Sequence, residues 1–188
     1  MAGPNGSGKT TFASEYLRDS GVFEYISADA IAERLVSRQQ EMDSVKIRAG
    51  RLFIKEIQEL IESEKDFAVE VTLAGKGFSR IISRLKEAGY RVLIVFIFLK
   101  SPETCIARVR NRVSAGGHHV PTEDVVRRFY RSKRNFWYNY KDLVDQWHLY
   151  YNSTTYFQEV AVGRIDDVTV INEGLFELFV QDINDGGT

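Results

Sequence analysis

Apolar and polar positions along this chain repeat in two registers. Over 45–64 apolar residues return at helical spacing: Ile47, Leu52, Phe53, Ile57, Leu60 and Ile61 form one stripe with Lys, Glu and Gln between them, which predicts a long amphipathic helix. Over 67–73 the pattern alternates and predicts a strand. Residues 91–99 are almost continuously apolar, as expected for a central strand of a parallel sheet covered on both faces. Shorter segments fill the intervals. Helices are predicted over 11–18, 30–39, 78–88 and 103–113, with a strand over 23–27. Asp19-Ser20-Gly21 and Gly89 supply stops, and Ser101-Pro102 supplies an N-cap followed by a proline at the first helical position. The C-terminal third reads as 149–152, 156–162, a turn at Gly163, a strand over 167–172 and a helix over 173–182. Strands alternating with helices predict an α/β fold with a mostly parallel sheet.

One stretch organises this pattern. Gly3-Pro4-Asn5-Gly6-Ser7-Gly8-Lys9-Thr10 matches G-x-x-x-x-G-K-[ST] at every fixed position, and Thr11 follows. Glycines leave the turn without side chains, so successive backbone N–H groups can face a phosphate. Lys9 can reach its β and γ oxygens, and Thr10 offers a hydroxyl to Mg²⁺. A helix starting near Lys9 adds its N-terminal partial positive charge. ATP and Mg²⁺ are therefore the expected cofactors. Such a loop normally follows a buried strand, yet only Met1 and Ala2 precede Gly3. A truncated first strand is the expectation.

The 188 residues suit one domain with a substantial core. A net charge of −1 from 25 basic and 26 acidic residues gives no global bias towards nucleic acid or an acidic membrane. Cys105, the only cysteine, excludes an intrachain disulfide and reads as a buried thiol in a reducing compartment. The longest apolar run, 92–99, is too short to span a bilayer, and no signal peptide is visible. A cytoplasmic protein is expected.

Candidate chemistry lies at strand ends. Asp29 follows the strand over 23–27, at the edge where parallel sheets place ligands, although an N-cap for the next helix is an equal use of it on spacing alone. Glu70 sits in a buried-strand pattern, where a carboxylate needs a partner: a cation, a sugar hydroxyl or a structural arginine. Arg51 either lies on a solvated helical face or turns towards the site. Arg108 and Arg112 share a face of one helix, and Arg127, Arg128, Arg131 and Arg134 lie on the next. Between them 114–121, with Gly116, Gly117, His118 and His119, reads as a lid able to close arginines over a transferring phosphoryl group. The interleaved aromatics Phe129, Tyr130, Phe136, Trp137, Tyr138 and Tyr140 also suit base stacking, but core packing is the commoner use and a nucleic-acid partner is not expected. His118 and His119 lack a third ligand nearby for zinc.

Taken together, residues 3–11, Ala28-Asp29, Ala49-Gly50-Arg51, Glu70-Val71-Thr72-Leu73, Gly89-Tyr90, Arg108-Val109, Arg112-Val113, Gly116-Gly117-His118, Val120-Pro121, Arg128 and Asn152-Ser153 resemble the zeta toxin family of P-loop kinases, in its short chromosomal form. The resemblance covers nearly the whole chain. It implies a P-loop NTPase three-layer αβα sandwich with an adenylate-kinase-like core, 1–188 as a single kinase domain, and ATP-dependent phosphorylation of a hydroxyl. In the longer toxins the acceptor is a UDP-activated amino sugar. Carried onto this chain, it implies Asp29 as the proton acceptor, Lys9, Arg108 and Arg112 on the γ-phosphate, Thr10 on Mg²⁺, and Glu70 and Thr72 on the substrate side, with Arg51 alongside. Where the long toxins have a second lid arginine this chain has His118-His119, which leaves that duty to Arg128. An antitoxin-type protein is the partner the resemblance implies. Two alternatives stay open: a kinase of a nucleoside, small metabolite or nucleic-acid end, and a non-catalytic ATP-dependent binding module.

Overall fold

The computed structural model describes residues 1–17, 24–35, 42–117, 119–152, 156–165 and 167–185; the side chains of residues 29, 32–34, 42–46 and 185 lie outside that description. The chain divides into two compact units, Ala13–Val71 and a discontinuous unit of Met1–Phe12 with Thr72–Thr188.

The discontinuous unit is built on a four-stranded sheet of order β3-β4-β5-β6, with β3 at Leu93–Phe98, β4 at Gln146–Asn152, β5 at Phe157–Arg164 and β6 at Asp167–Val170. β3 and β4 are parallel, and the pairs from β4 onward are antiparallel. The expected α/β class is therefore observed, with a mixed sheet. Ahead of the phosphate loop a single residue, Ala2, bridges to Phe96 in parallel. Its N–H donates to the Val95 carbonyl at 2.8 Å and its carbonyl accepts from Ile97 at 2.8 Å.

Helices α4 (Phe78–Glu87), α5 (Pro102–Ser114), α6 (Thr122–Asn135) and α7 (Glu173–Asp185) belong to this unit. α5 starts as its sequence dictates: Ser101 Oγ accepts from Thr104 N at 3.4 Å and Pro102 takes the first helical position, where its missing N–H costs nothing. After α6 the helix widens into a π-helical turn, Phe136–Tyr140, which the side-chain pattern does not announce.

The core is aromatic. Phe96, Phe98, Phe129, Phe136, Trp147 and Phe179 are buried; Phe96 stacks on Phe136 at 4.5 Å between centroids, and Phe179 meets Phe96, Phe98 and Phe136 edge-on. Among these rings Lys133 is wholly buried. Its ammonium lies 3.9 Å from the Phe129 centroid and 4.9 Å from that of Phe98, pairs with Asp182 on α7, and donates to the Leu99 carbonyl at 3.4 Å. The aromatics of α6 and of the π-helical turn are thus mainly core; of those singled out in the sequence, Tyr138 alone stands exposed.

The second unit carries α2 (Ala28–Leu35), α3 (Met42–Glu62) and a two-stranded parallel sheet of β1 (Glu24–Ser27) and β2 (Phe67–Glu70). The remaining helix, α1 (Lys9–Tyr16), begins in the phosphate loop. On α3 the buried seam runs through Ala49, Phe53 and Ile57 at intervals of four, while Ile47 and Leu52 are exposed. The expected stripe is narrower than its apolar composition implied, because a four-residue interval keeps to one side of a helix and Leu52 lies a full step off it. Among the described residues no helix is long and apolar enough to cross a membrane.

Candidate active site

The phosphate loop is fixed from three directions. Ala2 ties its entry to β3, Asn152 at the end of β4 donates from Nδ2 to the Ser7 carbonyl at 2.8 Å, and Gly8 O accepts from Phe12 N at 2.9 Å as α1 begins. The Pro4 carbonyl accepts both Ser7 N at 3.2 Å and Lys9 Nζ at 3.0 Å, so the lysine folds back over its own loop, buried. Two glycines are obligatory for a local reason. A Cβ on Gly3, at φ +141°, would stand 2.2 Å from the Ile97 carbonyl oxygen, and one on Gly8, at φ +93°, would stand 2.3 Å from Asn152 Nδ2.

This loop fits an anion. Asn5 Nδ2 and Ser7 Oγ are both buried, and neither has a partner among the described residues. A buried donor without an acceptor is costly, and a phosphate oxygen supplies the missing acceptor. Thr10, the position expected to meet Mg²⁺, is exposed, as is Thr11. Cys105, whose carbonyl lies against Gly6, is wholly buried and its thiol is pushed up to about 12 by burial, so it is no nucleophile.

Arginines approach from α5 and α6. Arg128 Nη1 donates to Asn5 Oδ1 at 3.1 Å, with Asp124 Oδ2 at 3.6 Å from its other terminal nitrogen; Asp124 also holds Arg127 at 2.7 Å. Arg108 is half-buried on α5 and Arg112 exposed. α5 closes where Gly117 N donates to Arg112 O at 2.9 Å, opening the expected lid; His118 lies outside the described residues and His119 is exposed.

In the other unit, Asp29 falls in the first turn of α2, and its side chain lies outside the described residues. Its use as the N-cap is overturned: α2 begins at Ala28, and Ser27 Oγ accepts from Ala30 N at 3.4 Å. Glu70, at the end of β2, is buried and accepts the Tyr25 hydroxyl from β1, a partner that spacing alone did not reveal. Arg51 is exposed on α3. Thr72, which opens the second segment of the discontinuous unit, is half-buried, and its Oγ1 accepts from Ala74 N at 3.4 Å. The loop that follows is held by two residues absent from the sequence reading of this region: Asn135 Nδ2 donates to Leu73 O at 2.9 Å and Tyr140 Oη to Gly75 O at 2.5 Å. Leu73 takes φ +54°, an uncommon backbone conformation for a leucine.

Known proteins share this fold. An uncharacterized protein of Haemophilus influenzae is 32% identical over 125 residues, 66% of this chain and 86% of that protein. Among solved structures, a chain of the AvrRxo1-ORF1:AvrRxo1-ORF2 complex with sulphate ions superposes with a TM-score of 0.74 at 18% identity, covering 94% of this chain and 61% of that one; the same complex with ATP matches equally. A chain from the PezAT chromosomal toxin–antitoxin system of Streptococcus pneumoniae gives a TM-score of 0.63 at 18% identity over 99% of this chain and 84% of that one. The AAA domain profile matches residues 1–134, which takes in the phosphate loop, both strand-end acids and the arginines of α5 and α6; the chain belongs to the AAA domain family.

Proposed function

We propose that the protein is a zeta-toxin-like kinase that transfers the γ-phosphoryl group of Mg-ATP to a hydroxyl of a small-molecule acceptor, a UDP-amino sugar such as UDP-N-acetylglucosamine. The observation that carries the ATP half is the phosphate loop, where Asn5 and Ser7 keep buried polar atoms without partners among the described residues, beside a buried Lys9. The acceptor half rests on the likeness of Asp29 and Glu70-Val71-Thr72-Leu73 to the zeta toxins. An ATP-bound complex and a toxin–antitoxin system among the structural neighbours support the nucleotide and a partner of antitoxin type.

In this reading 1–188 acts as one kinase domain with 114–121 as its lid. The acceptor oxygen forms a bond to the γ-phosphorus as the bond to the ADP oxygen breaks. The leaving electrons stay on ADP, and the acceptor proton passes to Asp29. Because such a transition state is loose, position and charge dominate: Lys9, Arg108 and Arg112 meet the charge on the transferring group, Arg128 backs the lid, and Glu70, Thr72 and Arg51 orient the acceptor. The Thr10 hydroxyl would hold Mg²⁺, which would supply charge neutralisation at the transferring phosphates.

The test is mass spectrometry of protein incubated with Mg-ATP and UDP-N-acetylglucosamine. A sugar nucleotide heavier by one phosphate, lost in Asp29→Asn while ATP still binds, is the expected result. ATP consumption on another acceptor would replace the sugar nucleotide, and binding without transfer to any acceptor would replace the kinase by a nucleotide-dependent binding module.

A further inference from the structure

Asn5 is buried inside the phosphate loop: it is 1% exposed, and only the oxygen of its amide has a partner among the described residues. Its orientation is set by chemistry. A guanidinium has donors only, so the Asn5 atom 3.1 Å from Arg128 Nη1 must be the oxygen, and the opposite atom must be the NH₂ group. Arg128 is itself steadied by Asp124, 3.6 Å from Nη2. The series Asp124, Arg128, Asn5 therefore fixes a buried donor that finds no acceptor among the described residues. Ser7 Oγ, two residues along the same loop, is wholly buried and equally unmatched.

We propose that the Asn5 side-chain amide is a nucleotide ligand: Nδ2 donates to a non-bridging oxygen of the ATP polyphosphate, with Ser7 Oγ as a second side-chain donor, and Arg128 acts on that contact as a positioning residue by holding Asn5 Oδ1. The inference rests on the ATP-binding half of the function proposed above and adds side-chain recognition to a loop whose usual contacts are backbone N–H groups and a lysine. A phosphate oxygen is the fitting chemistry because it accepts and never donates, and because the neighbouring Lys9 and the start of α1 already favour an anion. The same contact ties phosphate occupancy to α6, the helix that follows the lid.

Asn5→Asp separates the two halves of the amide. It keeps the oxygen that Arg128 binds and replaces the donor by a second anionic oxygen. Titration calorimetry with ATP and with tripolyphosphate should show affinity for both falling by more than about tenfold, the loss of a charge-assisted donor plus repulsion. The melting temperature without ligand should be unchanged or raised. Asn5→Ala should weaken both ligands as well, by a smaller factor, and covers the case in which the aspartate variant does not fold. Arg128→Ala should weaken ATP less than Asn5→Asp does, since it frees the amide without removing it. Wild-type affinity in either Asn5 variant overturns the proposal and assigns Nδ2 to a buried water. Wild-type protein that binds ATP yet transfers no phosphate removes the kinase reading and leaves Asn5 standing; wild-type protein that binds no ATP overturns both.

Discussion

In the phosphate loop Asn5, Ser7 and Lys9 are all buried, and two of the three keep a polar atom with no partner among the described residues. In the β1–β2 pair Glu70 is buried to a similar degree, but Tyr25 already donates to it. The loop holds donors in surplus, whereas the strand end holds an acid that its own neighbour has begun to satisfy. Burial of a polar group is therefore a weak sign of a site, and the balance of donors against acceptors is a stronger one. A hydroxyl brought to Glu70 would share the carboxylate with Tyr25 or replace it; a phosphate at the loop would displace no described side chain from Asn5 Nδ2.

The largest effect should come from the loop. In the proposed reading Lys9→Ala removes the cation that meets the phosphates, and it should lower turnover by about 100- to 1,000-fold, read as ATP consumption at saturating acceptor. Retained turnover would show that backbone N–H groups and arginines suffice, and would break the comparison on the loop side.

Lys133 sharpens it as a buried charge with internal partners. Burial lowers its ammonium to about 8 against the pull of Asp182. Between there and the ordinary value of 10.5 the unfolded chain holds a proton that the folded chain has released, so stability rises with pH across that window. In urea unfolding, wild type should gain about 2 kcal/mol relative to Lys133→Met between about pH 8 and 10. A constant difference would show the ammonium to be well solvated. The smallest effect belongs to the strand pair. Tyr25→Phe should cost about 1 kcal/mol in chemical denaturation, the worth of one side-chain hydrogen bond to a group that keeps other contacts. If stability holds while acceptor KM changes, the Tyr25 hydroxyl serves substrate rather than structure.

How much of this was legible follows from the range of each interaction. The phosphate loop is a local conformation, so its eight residues announce it. α4 and α5 match within one or two residues, because Gly89 and Ser101-Pro102 are local signals. The seam of α3 was read too broadly, since apolar composition does not say which residues a neighbour covers. β4 starts at Gln146, ahead of the expected segment; Gln146 and His148 point to a half-open face, make a polar pair there at 2.8 Å and alternate with buried Trp147 and Leu149, a strand signal that the shorter expected segment leaves out. Asn5 with Arg128 spans 123 positions, and Asn135 with Leu73 spans 62; no pattern within one element encodes such pairs. The π-helical turn is a change in backbone bonding that leaves the residue types as they are.

The aromatic core has a spectroscopic consequence. The chain has two tryptophans, Trp137 and Trp147, packed edge to face with centroids 6.0 Å apart, and neither falls within Ala13–Val71. Emission excited at the red edge, where tyrosine is silent, therefore reports on the discontinuous unit alone, while far-ultraviolet dichroism sums the helices of both. Superimposable melts from the two signals would mean that the units lose structure together; separated melts would resolve them without a label.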